Sequence, residues 1–125
     1  MAQLGFLHRP LMDAIAAAAM TRSQDFLAQE VSNIAWSCAR LRDKQGPLLD
    51  ALAAAALNTI NEFTTQNLSN TPWSFARLEF LHMPGLAALA SAALARLTQL
   101  GAQDLCSTAW SYAILELRNA PLLDA

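Results

Sequence analysis

Charge is scarce in this chain: only 14% of its 125 residues are Asp, Glu, Lys or Arg, and a single lysine, Lys44, accompanies seven arginines. The formal net charge of −2 works against nucleic-acid binding, because Lys and Arg contacts to phosphate normally supply most of the non-specific affinity. Cations gathered on one face would escape that objection. Cysteine is equally sparse. Cys38 and Cys106 occupy unrelated positions of the pattern described below, so neither a disulfide framework nor a metal site follows; both read as small core residues in a reducing compartment. No apolar run reaches the roughly 18 residues that cross a bilayer, so no membrane partner is expected. Nothing pairs a nucleophile with a base, cradles a phosphate on glycines or sets two carboxylates together. Catalysis, cofactors and metals are therefore not expected. Disorder is excluded by the 54% hydrophobic content.

What the chain does have is a period. Tryptophan recurs at Trp36, Trp73 and Trp110, and proline at Pro10, Pro47, Pro84 and Pro121, both every 37 residues. Residues 10–46 laid over 47–83 without a gap are identical at 17 of 37 positions, among them Gln29/Gln66, Asn33/Asn70, Ser37/Ser74 and Arg40/Arg77. A fixed period of this size marks a tandem array, whose function is sought along an extended surface. The expected fold is all-α: an α-solenoid of 37-residue helix-turn-helix repeats wound as a right-handed superhelix. Residues 1–125 form one array, with a partial repeat at 1–9, repeats at 10–46, 47–83 and 84–120, and a partial repeat at 121–125. Because Met1-Ala2-Gln3-Leu4 aligns with a repeat end and Pro121-Leu122-Leu123-Asp124-Ala125 with a repeat start, a fragment of a longer protein is expected.

Each repeat reads as two helices. Helix A opens on its proline, where the missing N–H costs nothing, with Asp13, Asp50 or Asp124 in the first turn, and continues through alanine, which lets neighbouring helices approach closely. Helix B begins near Leu27, Thr64 and Gly101. The pairs Phe26/Val31, Phe63/Leu68 and Leu100/Leu105 have hydrophobic-staple spacing across the corner. Leu27 is a poor cap, and Pro72 inside the second helix B is expected to kink it. At 100° per residue, Gln29, Asn33, Trp36 and Arg40 fall together, opposite the apolar face of Val31, Ile34, Cys38 and Leu41.

The segment Phe63-Thr64-Thr65-Gln66-Asn67-Leu68-Ser69-Asn70-Thr71-Pro72-Trp73-Ser74-Phe75-Ala76-Arg77-Leu78 resembles the second helix of octotricopeptide and heptatricopeptide repeats. Related arrays occur in RAP-domain and FAST-kinase-like proteins and in the RNA-editing substrate-binding complex. Ser107 and Ile114 depart from the pattern in the third copy. The resemblance implies an α-solenoid that binds single-stranded RNA, not DNA, in mitochondria or plastids and acts in transcript stability, processing, editing or translation.

Residues identical in every copy cannot distinguish bases, so Gln29, Gln66 and Gln103, Trp36, Trp73 and Trp110, and Ser37, Ser74 and Ser111 are structural or make generic backbone contacts. For the tryptophans, packing between repeats is preferred to base stacking. For the glutamines and for Asn33 and Asn70, hydrogen bonds joining adjacent repeats are preferred. Base discrimination would fall to positions that vary between copies: Glu30/Asn67/Asp104 and Ile34/Thr71/Thr108, read equally as solvent-facing helix starts. Arg40 and Arg77 are candidates for phosphate contact or stacking, or for surface ion pairs. His8 and His82 read as turn residues. Two rivals remain, a protein-binding scaffold and a spacer for a catalytic domain elsewhere.

Overall fold

Gln45 and His82 stand at the same place, just before a helix whose second residue is proline, and two of the array's turns are built there. The computed structural model describes residues 2–124, with side chains described for residues 9–22 and 24–117. It contains six α-helices: α1 (Ala2–Thr21), α2 (Ala28–Leu41), α3 (Gly46–Thr59), α4 (Thr65–Arg77), α5 (Met83–Ala95) and α6 (Ala102–Asp124). Among the described residues there is no strand. A short 3₁₀ turn follows each odd-numbered helix, at Ser23–Asp25, Ile60–Glu62 and Leu97–Gln99, again 37 residues apart.

The helices contact one another in two rows. α1 packs on α3 and α3 on α5, while α2 packs on α4 and α4 on α6; α2 also meets α3, and α4 meets α5. The alanines explain the first row, since Ala16, Ala53 and Ala56 are buried with Leu48, Leu49 and Leu52 between close helices. Phe63, Leu68 and Phe75 join the same core from the second row. A leucine-sized side chain buried at such a site contributes about 1.5–3 kcal/mol.

Local chemistry sets the turns. Thr64 caps α4: its hydroxyl accepts the Asn67 N–H at 3.1 Å, and the Asn67 amide oxygen accepts the Thr64 N–H at 3.1 Å, a reciprocal pairing of orphan donors. Leu27 has no oxygen to offer, and only half of that arrangement survives, Glu30 Oε1 accepting the Leu27 N–H at 2.9 Å. His82 Nδ1 accepts the Gly85 N–H at 3.0 Å at the start of α5. α2 and α4 end on a left-handed residue at the same repeat position, Arg42 with φ 54° and Glu79 with φ 56°. Each is followed by a bond back across the last turn, from Asp43 N–H to the Cys38 carbonyl at 3.0 Å and from Phe80 N–H to the Phe75 carbonyl at 2.8 Å.

Two expectations need correction. Pro10 does not open a helix; α1 already runs from Ala2 and passes through it. Pro121 does not open one either, because α6 continues to Asp124. At the intervening turn Phe80 is buried edge-on against Phe75, with centroids 5.1 Å apart, whereas its counterpart Leu117 is exposed. α4 runs through Pro72 from Thr65 to Arg77, with Pro72 buried at the position that Ala35 and Ala109 hold in the other copies. The side chains of His8 and of residues 1–7 and 118–125 lie outside the described residues. No helix among the described residues is long and apolar enough to cross a membrane.

Candidate nucleic-acid interface

The even-numbered helices present the stripe that the 100° spacing predicts. On α2, Gln29, Asn33, Trp36 and Arg40 are all exposed; on α4, Gln66 and Arg77 are exposed and Asn70 and Trp73 half-buried; on α6, Gln103 and Trp110 are exposed, with Ser107 and Ile114 between and beyond them. Eleven rises of about 1.5 Å make every stripe about 16 Å long. Because α2, α4 and α6 lie side by side, the stripes form one face.

Within a stripe the side chains order one another. Gln29 Nε2 donates to Asn33 Oδ1 at 3.0 Å, one helical turn apart. The Arg40 guanidinium carbon lies 5.3 Å from the centre of the Trp36 ring, and that of Arg77 lies 5.8 Å from the centre of Trp73. Both are within cation–π range, worth about 0.5–1 kcal/mol at an exposed site. The two arginines sit in the last turns of their helices, where the negative end of the helix dipole favours a cation. No ion pair to either is seen among the described residues, where Arg9 pairs with Asp43 at 3.4 Å. The stripes on α2 and α4 therefore run from amides to an indole to a guanidinium.

The indoles are not hidden between repeats as the sequence suggests. Trp36 is 43% exposed and Trp110 42%, while Trp73 is partly buried against the core. The cause is position in the row, since α4 has an even-numbered neighbour on each side and α2 and α6 have one each. The base-reading positions also need correction. Thr71 is fully buried, and its hydroxyl and that of half-buried Thr108 are enclosed without a hydrogen-bond partner. Ile34 packs partly against the core. Asn67 is buried and spends its amide oxygen on the α4 cap. Glu30 is exposed but performs the same capping service, and Asp104 is half-buried in the first turn of α6. Of these, Glu30 and Asn67 spend a side-chain oxygen on their own helix starts.

The invariant serines have a local role: Ser37, Ser74 and Ser111 each donate to the carbonyl one turn back, at 2.9, 2.8 and 2.7 Å. Of the expected bonds between repeats, one is present, from Asn67 Nδ2 to Gln29 Oε1 at 3.4 Å, joining α4 to α2. In the next seam Asp104 replaces Asn67 and cannot donate while ionised. There a polar cleft of about 400 Å³ opens between α4 and α6, lined by Gln66, Asn70, Gln103, Asp104 and Ser107. Sequence reasoning missed this cleft; its signal is the amide-to-acid change at one repeat position.

Two groups away from the face titrate abnormally. Burial, reinforced by the nearby Asp43 charge, pushes the Cys38 thiol up to about 11. Burial raises the Tyr112 phenol further, consistent with its hydroxyl donating to the Leu86 carbonyl at 2.8 Å. Cys106 is exposed, contrary to the expected core position.

Neither a curated protein nor a solved structure matches the chain. A family model does, that of the RNA-editing substrate-binding complex 6 protein, over residues 2–121. With all but a few terminal residues covered, the chain belongs to the RNA-editing substrate-binding complex 6 protein family.

Proposed function

We propose that this chain is a non-catalytic RNA-binding segment of RNA-editing machinery, built as a right-handed α-solenoid of 37-residue repeats with the boundaries read from the sequence. Single-stranded RNA lies across the amide–indole–guanidinium face. The observation that carries the reading is the recurrence of one stripe on α2 and α4, with a guanidinium placed over each indole. Exposed aromatic rings and arginines are what a single strand stacks on, at about 1–3 kcal/mol per stacked base, and such contacts tolerate sequence. Gln29, Gln66 and Gln103 with Asn33 and Asn70 add donors and acceptors that fit any base edge or ribose. The family's name places its members in an RNA-editing substrate-binding complex, which supports an RNA partner; the mitochondrial or plastid location rests on the motif resemblance. Membership of the octotricopeptide or heptatricopeptide class in particular rests on the motif resemblance.

The test is fluorescence anisotropy with a labelled single-stranded RNA. Binding is expected, with Trp36→Ala or the pair Arg40→Ala and Arg77→Ala weakening it about tenfold or more. Unchanged affinity in these variants, or no binding, removes the proposal. A protein-binding scaffold is the second reading, favoured by the net charge of −2 and by exposed apolar residues at the two ends of the array.

A further inference from the structure

Glu30, Asn67 and Asp104 are the third residues of α2, α4 and α6, and the three copies use that position differently. Glu30 Oε1 accepts the Leu27 N–H and Asn67 Oδ1 accepts the Thr64 N–H, each serving its own helix start. Asn67 also donates to Gln29 Oε1 and so ties α4 to α2. Asp104 does neither. Among the described residues its carboxylate has no hydrogen-bond or ion-pair partner, and where the seam bond would stand there is the polar cleft of about 400 Å³ between α4 and α6. That volume falls within the roughly 300–1,000 Å³ of small-ligand pockets.

The cleft lies inside the array, with a helix of the chain on either side. A second side chain in it is also unspent. Ser69 is only 2% exposed and lines the cleft, yet its hydroxyl has no hydrogen-bond partner among the described residues. Hydroxyls enclosed to this degree are normally paired, so Ser69 is free to pair with a polar group that enters. Gln66, Asn70 and Gln103 belong both to the cleft and to the stripes. The cleft therefore opens on the face assigned to RNA, at its amide end. About 16 Å of helix separates that end from Arg77, so the carboxylate does not oppose a phosphate held at the guanidinium.

An ionised carboxylate presents two adjacent acceptors and no donor. Of the four bases, guanine alone shows two adjacent donors on its Watson–Crick edge, N1–H and the N2 amine. Adenine and cytosine set an acceptor nitrogen beside their amine, and uracil sets one N–H between two carbonyls, so each brings an acceptor against the carboxylate. We propose that the α4–α6 cleft is a guanine subsite, in which one unpaired guanine of the bound RNA donates N1–H and its N2 amine to Asp104. The Ser69 hydroxyl and the Asn70 amide supply donors for the remaining atom of that edge, the O6 carbonyl. This inference rests on the RNA reading above and adds one read position to a face whose stacking contacts tolerate any base.

Fluorescence anisotropy with short labelled oligouridines that differ only at one central base tests it. The guanosine form is expected to bind the full chain about tenfold or more tightly than the uridine, adenosine or cytidine forms. An inosine form, which lacks the N2 amine, is expected to fall between. Asp104→Asn keeps the side-chain shape, replaces one acceptor with a donor and can bond Gln66 as Asn67 bonds Gln29. With its folding checked by circular dichroism, it is expected to bring the guanosine form down to the affinity of the uridine form. Equal affinity of the wild type for all four bases overturns the guanine subsite and leaves the RNA reading standing, as does a guanosine preference that survives in Asp104→Asn. Absence of binding to every oligonucleotide removes both.

Discussion

Cys38 and Cys106 are chemically the same side chain in opposite surroundings. With its thiol pushed up to about 11 by burial, Cys38 holds almost no thiolate at neutral pH, and thiolate is the reactive form. In dilute native protein a thiol reagent is expected to modify one equivalent, at Cys106, and a second only after denaturation; two fast equivalents would contradict the burial of Cys38. The same shift sets a pH dependence. Folded protein retains the Cys38 proton more tightly than unfolded chain, whose cysteine titrates near about 8.5, so this contribution to stability is intact below that pH and is lost as pH rises toward 11. The Tyr112 phenol, also raised, adds a loss of the same sign. Urea titrations from pH 7 to 10.5 should show stability falling above about pH 8.5, with a shallower fall for Cys38→Ala. Residue-level roles were partly legible in the sequence. The stripe followed from spacing alone, but spacing could not say that Thr71 and Asn67 face inward, because that depends on which neighbouring helix covers them. Cys106 misled for the same reason: its position is interior in earlier copies and open in this one.

The helices themselves were nearly all foreseeable from punctuation. Proline marks the starts of α3 and α5, and the Phe63-Thr64 corner marks that of α4, each to within a residue or two. What the sequence concealed is the length of α1 and α6, which run on through the positions where α2 and α4 are followed by a turn. Those turns are also strained, since Arg42 and Glu79 hold positive φ without being glycine. A left-handed conformation costs a residue with a Cβ about 1–2 kcal/mol. Arg42→Gly relieves that strain and is expected to stabilise the fold by about 1 kcal/mol after the entropic cost of glycine, read as a rise in melting temperature. A lower melting temperature would mean that the Arg42 side chain contributes more than its backbone costs.

At the scale of the molecule, composition was the poorest guide. A net charge of −2 suggests no affinity for phosphate, yet Arg40 and Arg77 stand on one face beside the indoles. Two cations are few, and this bounds how the face can work. With about 0.7 counterions released per neutralised phosphate on a single strand, two contacts give a slope of about −1.4 in log K against log salt. A titration across salt concentrations is expected to give that shallow slope; one several times steeper would place the binding on other cations. Stacking and amide contacts must then supply most of the free energy. The three rings do not offer themselves equally for it. Arg40 and Arg77 already cover one side of Trp36 and Trp73, but Ile114 stands where the third copy would carry arginine, leaving the Trp110 ring without a guanidinium lid among the described residues. The surface thus has a polarity along its axis, two occupied platforms followed by a bare one, so a strand laid across it meets a different first footing according to the end from which it arrives.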